Sequence, residues 1–411
     1  KISPKILNHF AEKGLKGIIA EGYSREQSSA ISLKVSHLLG YLATITTWDS
    51  LNRFMHEFNE RIRFQETDFD SFLEEFEQRF GQNIKPYMDE WYTGHQIPLL
   101  TIKDLSLKTT GKTRIIDFKV GNISETDGIV SLLITDMYGA ITGYDRNYLI
   151  KPGEFKRIVI HANIEHRLEL TTNFSGILPN NNILFSPGEF PFSGPVPKEG
   201  VTPIDRNEFY PPGEIVVDNE DENFQLIDSA NNRKRLADLF RNENDQEYVN
   251  PQNLKANAWN PILEKGMYGN RIRSAFVKEV GTGQFKAEWT ANLPEAGKYE
   301  IFIYRPHYTT SRRDIYTTDF PGMKNYYTVY TPQGKEEIIL EVQEGNFDLS
   351  NLYLLPEEEA WVSLGKFNLP AGESRVVLDD RGVDHPFTSE KYRYSFIQLV
   401  IADAVKWVKE K

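Results

Sequence analysis

The side chains best suited to chemistry in this sequence concentrate between Pro306 and Asn325. With its flank, that stretch carries His307, Tyr308, Arg312, Arg313, Asp314, Tyr316, Phe320 and Tyr326. Flat rings stack on sugar faces, and a guanidinium grips a uronate or sulfate through two parallel N–H bonds, so the mixture suits an acidic polysaccharide. The same composition also describes a loop whose rings pack onto a sheet and whose arginines pair with nearby Asp or Glu, their stems lying on apolar surface. Trp259, within Asn257-Ala-Trp-Asn260-Pro261, stands in a turn-rich region and is the tryptophan expected to be exposed. The ligand-binding candidates are therefore Trp259, His307, Tyr308, Arg312, Arg313, Tyr316 and Tyr326.

Catalytic patterns fare worse. A zinc peptidase needs H-E-x-x-H on a helix, so that two imidazoles one turn apart hold the metal while the Glu polarises water. The nearest string is His56-Glu57-Phe58-Asn59-Glu60, with Glu where the second His would stand. His161-Ala-Asn-Ile-Glu-His166 has one residue too many for the inverted motif, and on a strand its two histidines point to opposite faces. Asp379-Asp380 and Asp403 are carboxylates with no sign of the set separation that glycoside hydrolysis requires. No G-x-S-x-G elbow occurs. The acidic run Asp218-Asn-Glu-Asp-Glu222 offers oxygens for a structural Ca²⁺, or simply a solvated turn, and no ligand spacing decides between them. The chain is thus expected to hold no catalytic residue, no metal ligand set and no cofactor of its own.

Composition narrows the partners. A formal net charge of -12 disfavours the phosphate backbone of nucleic acid, which is held chiefly by Lys and Arg. The absence of cysteine removes disulfides, thiolate zinc sites and cysteine nucleophiles together. No stretch is apolar over the length a membrane-spanning helix needs. Hydrophobic residues at 39% and charged residues at 26% describe an ordinary globular chain, and 411 residues are enough for several domains. The chain starts at Lys1 with no apolar signal core, which we take as the mark of a processed protein or a fragment.

The elements that must carry these residues fall into four segments. Residues 1–97 show helical periodicity: Leu33, Leu38, Leu39 and Leu42, then Leu51, Phe54, Met55 and Phe58. Thr67-Asp68 offers a cap for a helix bearing Phe72, Leu73, Phe76 and Phe80, which Gly81 ends. From 98 to 190 the period changes to two, with Ile115, Phe118, Val120, Ile129–Ile134, Ile158–Ile160 and Leu168–Leu170 between turn residues, as in a small β-sandwich. Residues 191–213, rich in Pro, read as a semi-rigid linker. Within 214–411 one strand–turn–strand signal occurs twice. Trp289 precedes Leu293-Pro294-Glu-Ala-Gly297 and the alternating Tyr299–Tyr304, and Trp361 precedes Leu369-Pro370-Ala-Gly372 and Val376–Asp379.

The last segment resembles a known family at Val217-Asp218-Asn219, Tyr268-Gly269, Ala287-x-Trp289, Leu293-Pro294-x-Ala296-Gly297-x-Tyr299, Tyr327-x-Val329, Trp361-x-x-Leu364-Gly365, Ala371-Gly372 and Ile401-Ala-Asp-Ala-Val405. In that order they are similar to the golvesin C-terminal-like domain, which also ends some bacterial xanthan lyases. The resemblance implies a jelly-roll-like β-sandwich of the non-catalytic, carbohydrate-binding type, with Trp289, Trp361 and Trp407 in its core. The first segment, through Lys34 to Leu42, Phe54, Phe58, Asp70–Phe76, Gly81–Ile84, Met88–Trp91 and Ile97-Pro98, resembles the end of the catalytic domain in aminopeptidase N-type zinc peptidases. That family carries a transition-state Tyr two residues before the Lys ahead of the leucine run, and Ser32 stands there instead.

Together these expectations give a multidomain α+β chain: an N-terminal α-helical layer, then a small β-sandwich, then a jelly-roll-like β-sandwich. The expected role is the non-catalytic C-terminal portion of a larger secreted, periplasmic or cell-surface bacterial enzyme. Its partner would be a polysaccharide, a cell-surface glycan or an upstream catalytic domain. Two alternatives remain: part of a zinc metallopeptidase whose Zn site lies upstream of Lys1, and a polysaccharide lyase or hydrolase.

Overall fold

The computed structural model describes residues 4–22, 25–135, 141–179, 182–185, 194–228, 248–250, 253–311, 315–343, 360–383, 387–388 and 395–410. They form two compact units, residues 1–205 and 206–411. The chain is a multidomain α+β protein, helical at its start and β-rich thereafter.

The first unit opens with α1 (Pro4–Glu21), α2 (Arg25–Ile45), α3 (Trp48–Ile62), α4 (Phe69–Phe80) and α5 (Lys85–Thr93). Local chemistry sets the ends of the middle pair. Thr47 caps α3 by accepting from the Ser50 N–H, and Asp68 caps α4 through the Ser71 N–H at 2.8 Å. Gly81 closes α4 at φ 66°, a left-handed position where its N–H reaches the Glu77 carbonyl. Their apolar stripes meet in a phenylalanine cluster in which Phe54 touches Phe58, Phe72, Phe76 and Phe80. His56 and Glu57 lie on the opposite, exposed side of α3, and Glu57 pairs with Arg79 at 3.4 Å. Apart from Phe58, which enters the cluster, that string is a solvated face.

Among the described residues eight strands follow: β1 (Leu100–Thr110), β2 (Thr113–Asn122), β3 (Gly128–Thr135), β4 (Ile141–Ile150), β5 (Phe155–Asn163), β6 (Arg167–Thr171), β7 (Asn182–Phe185) and β8 (Gly200–Pro203). They pair in two sheets ordered β1-β2-β5-β8 and β4-β3-β6-β7. The inward residues of both, among them Ile116, Phe118, Val130, Leu132, Ile160 and Leu170, share one core, as alternation in a sandwich requires. Within the stretch expected to be linker, Gly200–Pro203 instead adds an edge strand to β5. His161 lies on β5, its Nε2 2.9 Å from the Pro197 carbonyl, while His166 sits in the following turn. Helix α2 packs on β3 at Gly40, where a Cβ would fall 2.8 Å from Ile129 Cγ2. Glycine there is a packing requirement that overrides its poor helix propensity.

The second unit contains α6 (Arg206–Phe209), β9 (Glu214–Val217), β10 (Phe224–Asp228), β11 (Asn260–Leu263), β12 (Ser274–Glu279), β13 (Phe285–Leu293), β14 (Gly297–Tyr304), β15 (Thr309–Ser311), β16 (Ile315–Thr317), β17 (Lys324–Thr331), β18 (Gly334–Glu341), β19 (Trp361–Leu369), β20 (Gly372–Asp379), β21 (Phe387–Thr388), β22 (Ser395–Ala402) and β23 (Val405–Lys409). One sheet runs β10-β13-β20-β17-β18 and another β19-β14-β23-β9. A third, β11-β12-β22-β16-β15, is joined by β21. The first two sheets share a core of Trp289, Tyr299, Ile301, Val376, Leu378 and Trp407, to which β12 and β22 add Phe276 and Val400. The other face of β12 and β22 is covered as well, by Leu254, Met267 and Tyr308. Burial on both faces explains why Phe396–Ala402 reads as an almost unbroken apolar run.

The two strand–turn–strand copies are not hairpins. Strand β13 pairs with β20, and β14 pairs with β19, so each copy leaves one sheet and enters another. The registers mirror each other: Leu293 lies opposite Gly372, and Gly297 opposite Leu369. Trp289 is fully buried and donates from Nε1 to the Asp403 carbonyl at 2.9 Å. Trp259 is half-buried against the same core with its Nε1 enclosed and unbonded among the described residues. It is therefore not the exposed tryptophan expected from its turn-rich context. Phenylalanine should separate the two. Trp289→Phe strands a buried carbonyl and leaves a void, costing at least about 2 kcal/mol, whereas Trp259→Phe removes an unsatisfied donor and should stay within about 1 kcal/mol of the parent. Urea unfolding of the three proteins checks this, and equal midpoints for both variants would refute it.

Candidate functional site

The excursion after β14 folds back onto the protein. Strands β15 and β16 form an antiparallel pair, and β16 runs parallel beside β22. That docking turns its rings inward. Tyr308 is buried in the cluster beneath β12 and β22, Tyr316 packs half-buried against it, and Phe320 stacks on Phe396 with centroids 4.3 Å apart. His307 is partly exposed, its Nδ1 in contact with Asp319, whose other carboxylate oxygen accepts from Arg305 at 2.9 Å. Burial and the adjacent Arg305 guanidinium hold the imidazole pKa down to about 4, so His307 is neutral at physiological pH. Arg312 and Arg313 lie outside the described residues. Three of the candidates, His307, Tyr308 and Tyr316, are thus tied into packing and polar contacts within the fold.

Tyr326 lies elsewhere, on the outer face of the β10-β13-β20-β17-β18 sheet. Period two sets that face: Tyr327 and Val329 of β17 enter the core, so Tyr326, Thr328 and Tyr330 point away from it. Arg381 lies over the Tyr326 ring with its guanidinium carbon 4.4 Å from the centroid, and Arg375 lies over Tyr330 at 3.9 Å. Each guanidinium is anchored by carboxylates. Arg381 donates to both oxygens of Asp379 and, at 2.5 Å, to Glu337, which raises its already high pKa. Arg375 stands 3.5 Å from Glu288, which also accepts from Gln225. The sheet therefore presents two ring–guanidinium stacks four residues apart on one strand, about 13 Å at the usual rise. Tyr330 and the two arginines escaped the sequence reading. The signal was Tyr326-x-Thr328-x-Tyr330, alternating on a strand, but the arginines come from β20 and the residues just after it, and only pairing brings them near.

The remaining carboxylates hold loops together. Asp218 accepts from the Asn219 N–H, Asp221 accepts from the Asp218 N–H, and Glu220 accepts from Ser274 Oγ and Tyr248 Oη. They do not converge as calcium ligands would, and among the described residues no group of three or more His, Asp or Glu could hold a metal ion. Asp380 pairs with Lys278, and the Asp403 side chain accepts from the Tyr268 N–H.

No family model and no curated protein matches the chain. Among solved structures it is similar to β-glucosidase 3B from Thermotoga neapolitana, at 14% identity over 22% of this chain and 16% of that one, with a TM-score of 0.17. It is also similar to a β-glucuronidase from Bacteroides uniformis, at 12% identity over 77% of this chain and 30% of that one, with a TM-score of 0.17. The chain thus spans less than a third of the length of either. Neither the golvesin-like nor the aminopeptidase-like resemblance has a counterpart among them, and at these scores the likenesses carry no argument about ligand or activity.

Asp218 makes stability depend on pH. Burial holds its carboxyl well above the usual range, and Asp221 and Glu220 beside it push the same way. A raised folded pKa contributes stability that is complete below the ordinary carboxylate value of about 4 and is lost as pH rises through the folded value. Asp218→Asn keeps an oxygen for the Asn219 N–H and cannot ionise. Its melting temperature should rise above that of the parent progressively as pH climbs above about 4, with little difference at the acid end. A difference that is constant across the range, or reversed, would exclude a buried acid at this position.

Proposed function

We propose that the second unit is a non-catalytic saccharide-binding β-sandwich whose ligand face is the outer face of the β10-β13-β20-β17-β18 sheet. One observation carries this: the two Tyr–Arg stacks, Tyr326 with Arg381 and Tyr330 with Arg375, whose rings stand on one face of a single strand. Planar rings and guanidinium groups offer a sugar ring an apolar face together with fixed hydrogen-bond donors, and the spacing suits a short oligosaccharide. The ligand class follows from the charge balance. Both arginines are already paired with carboxylates, so an acidic polysaccharide would have to displace Asp379, Glu337 or Glu288. A neutral glycan needs only the unused donors and acceptors. In this reading the module positions a larger secreted enzyme on its glycan, a role supported by the family resemblance around Trp289 and Trp361.

Titration calorimetry with neutral cello-, xylo- and manno-oligosaccharides, set beside uronate-containing ones, tests the proposal. Neutral ligands should bind, and Tyr326→Ala or Tyr330→Ala should each weaken binding about 3- to 10-fold without changing the melting profile, the cost of one lost stacking contact. Binding that survives both substitutions together, or no binding to any neutral glycan, would remove the sheet face as the site.

A further inference from the structure

In the first unit, α2, α5 and the loop between β2 and β3 enclose a cavity of about 40 Å³. Lys34 enters it from α2. Its side chain is almost fully buried, its ammonium lies 5.4 Å from the Phe174 ring centroid, and among the described residues no carboxylate comes within ion-pair distance. One turn on, His37 lines the same cavity, equally buried, with Nδ1 making no hydrogen bond among the described residues. Tyr87, held by stacking on Tyr41 at 3.4 Å, closes one wall. Asp127 stands half-buried opposite, and exposed Glu90 and Gln96 form a rim open to solvent.

A cationic lysine is costly in such a place. Buried charges normally find a counter-ion or give up their proton, and among the described residues Lys34 has no counter-ion in contact. We propose that Lys34 is a nucleophilic amine that captures a small carbonyl compound in this cavity as an imine. The free amine attacks the carbonyl carbon, forming the C–N bond while the carbonyl oxygen takes up a proton. The resulting carbinolamine then loses its hydroxyl as water, leaving C=N and consuming no oxidant or reductant. The proton that the departing hydroxyl needs enters from solvent through the rim at Glu90 and Gln96. A water needs about 10–15 Å³ of such space, so the cavity takes roughly three waters, and the electrophile is an aldehyde or ketone of few atoms.

The charge state agrees with this geometry. Burial lowers the Lys34 pKa to about 8, with Glu90 opposing, and burial followed by Lys34 itself lowers His37 to about 3. At pH 7.5 roughly one Lys34 in four is the free amine, against about one in a thousand for an ordinary lysine. Neutral His37 leaves that amine unchallenged by a second cation.

The whole chain, treated at pH 7.5 with acetaldehyde and cyanoborohydride and mapped by peptide mass spectrometry, tests the proposal. Lys34 should be alkylated about tenfold faster than the exposed Lys112, its rate should level off above about pH 8 while that of Lys112 keeps rising, and benzaldehyde should label it poorly. Lys34→Arg should lose only that fast site. If Lys34 reacts no faster than Lys112, or accepts benzaldehyde as readily as acetaldehyde, there is no carbonyl-capturing cavity.

Discussion

The second unit depends on how its chain crosses from one sheet to another. Facing sheets lie about 10 Å apart, so a strand that leaves one and enters the other must turn through the edge of the core while keeping that edge dry. Leu293 and Leu369 do this, each buried at the end of its strand just before Pro294 or Pro370 breaks the ladder. Because each corner's first strand pairs with the other corner's second, the registers fix one another. A slip of one residue would carry Trp289 and Tyr299 from the core to the outside. Gly372, at φ 99°, supplies the backbone freedom that the second corner needs.

Polar groups buried around this frame fix loops more than they add stability. Lys278 and Asp380 are both almost fully buried, 2.9 Å apart. Asp380 also accepts the Gly283 and Phe285 N–H groups, and the ammonium lies 4.5 Å from the Phe285 ring centroid. Desolvating two ions is offset only by such additional bonds, so the pair chiefly determines where the segment between β12 and β13 lies. Arg305, His307 and Asp319 perform the same service where the excursion after β14 rejoins the sheet.

Much of the architecture was legible because it follows from local chemistry. The cap at Asp68, the stop at Gly81, the period-two runs from Ile115 to Leu170 and the turns at Leu293-Pro294 and Leu369-Pro370 each declare themselves within a few residues. What could not be read is whatever depends on which strand lies beside which. Gly200–Pro203 carries linker composition, yet becomes a strand because β5 offers an open edge. Arg381 and Tyr326 are 55 positions apart in the chain and meet only because β17 pairs with β20. Tyr308 and Trp259 looked like ligand platforms because aromatic residues in turn-rich sequence carry no mark of which side faces the core.

Two buried lysines show how context, not burial, sets a group's role. Lys278 lies against Asp380, a backbone carbonyl and a ring, so its charge is compensated from several directions and its geometry is fixed. Lys34 has a ring but neither ion pair nor hydrogen bond from its ammonium among the described residues, and beside it an imidazole nitrogen is equally unbonded. Folding tolerates an arrangement of that kind when the amine can discharge its proton into solvent through an open rim. A lysine that serves only structure gains nothing from a cavity beside it. A lysine that must meet a small molecule requires one, and Lys34 lines one.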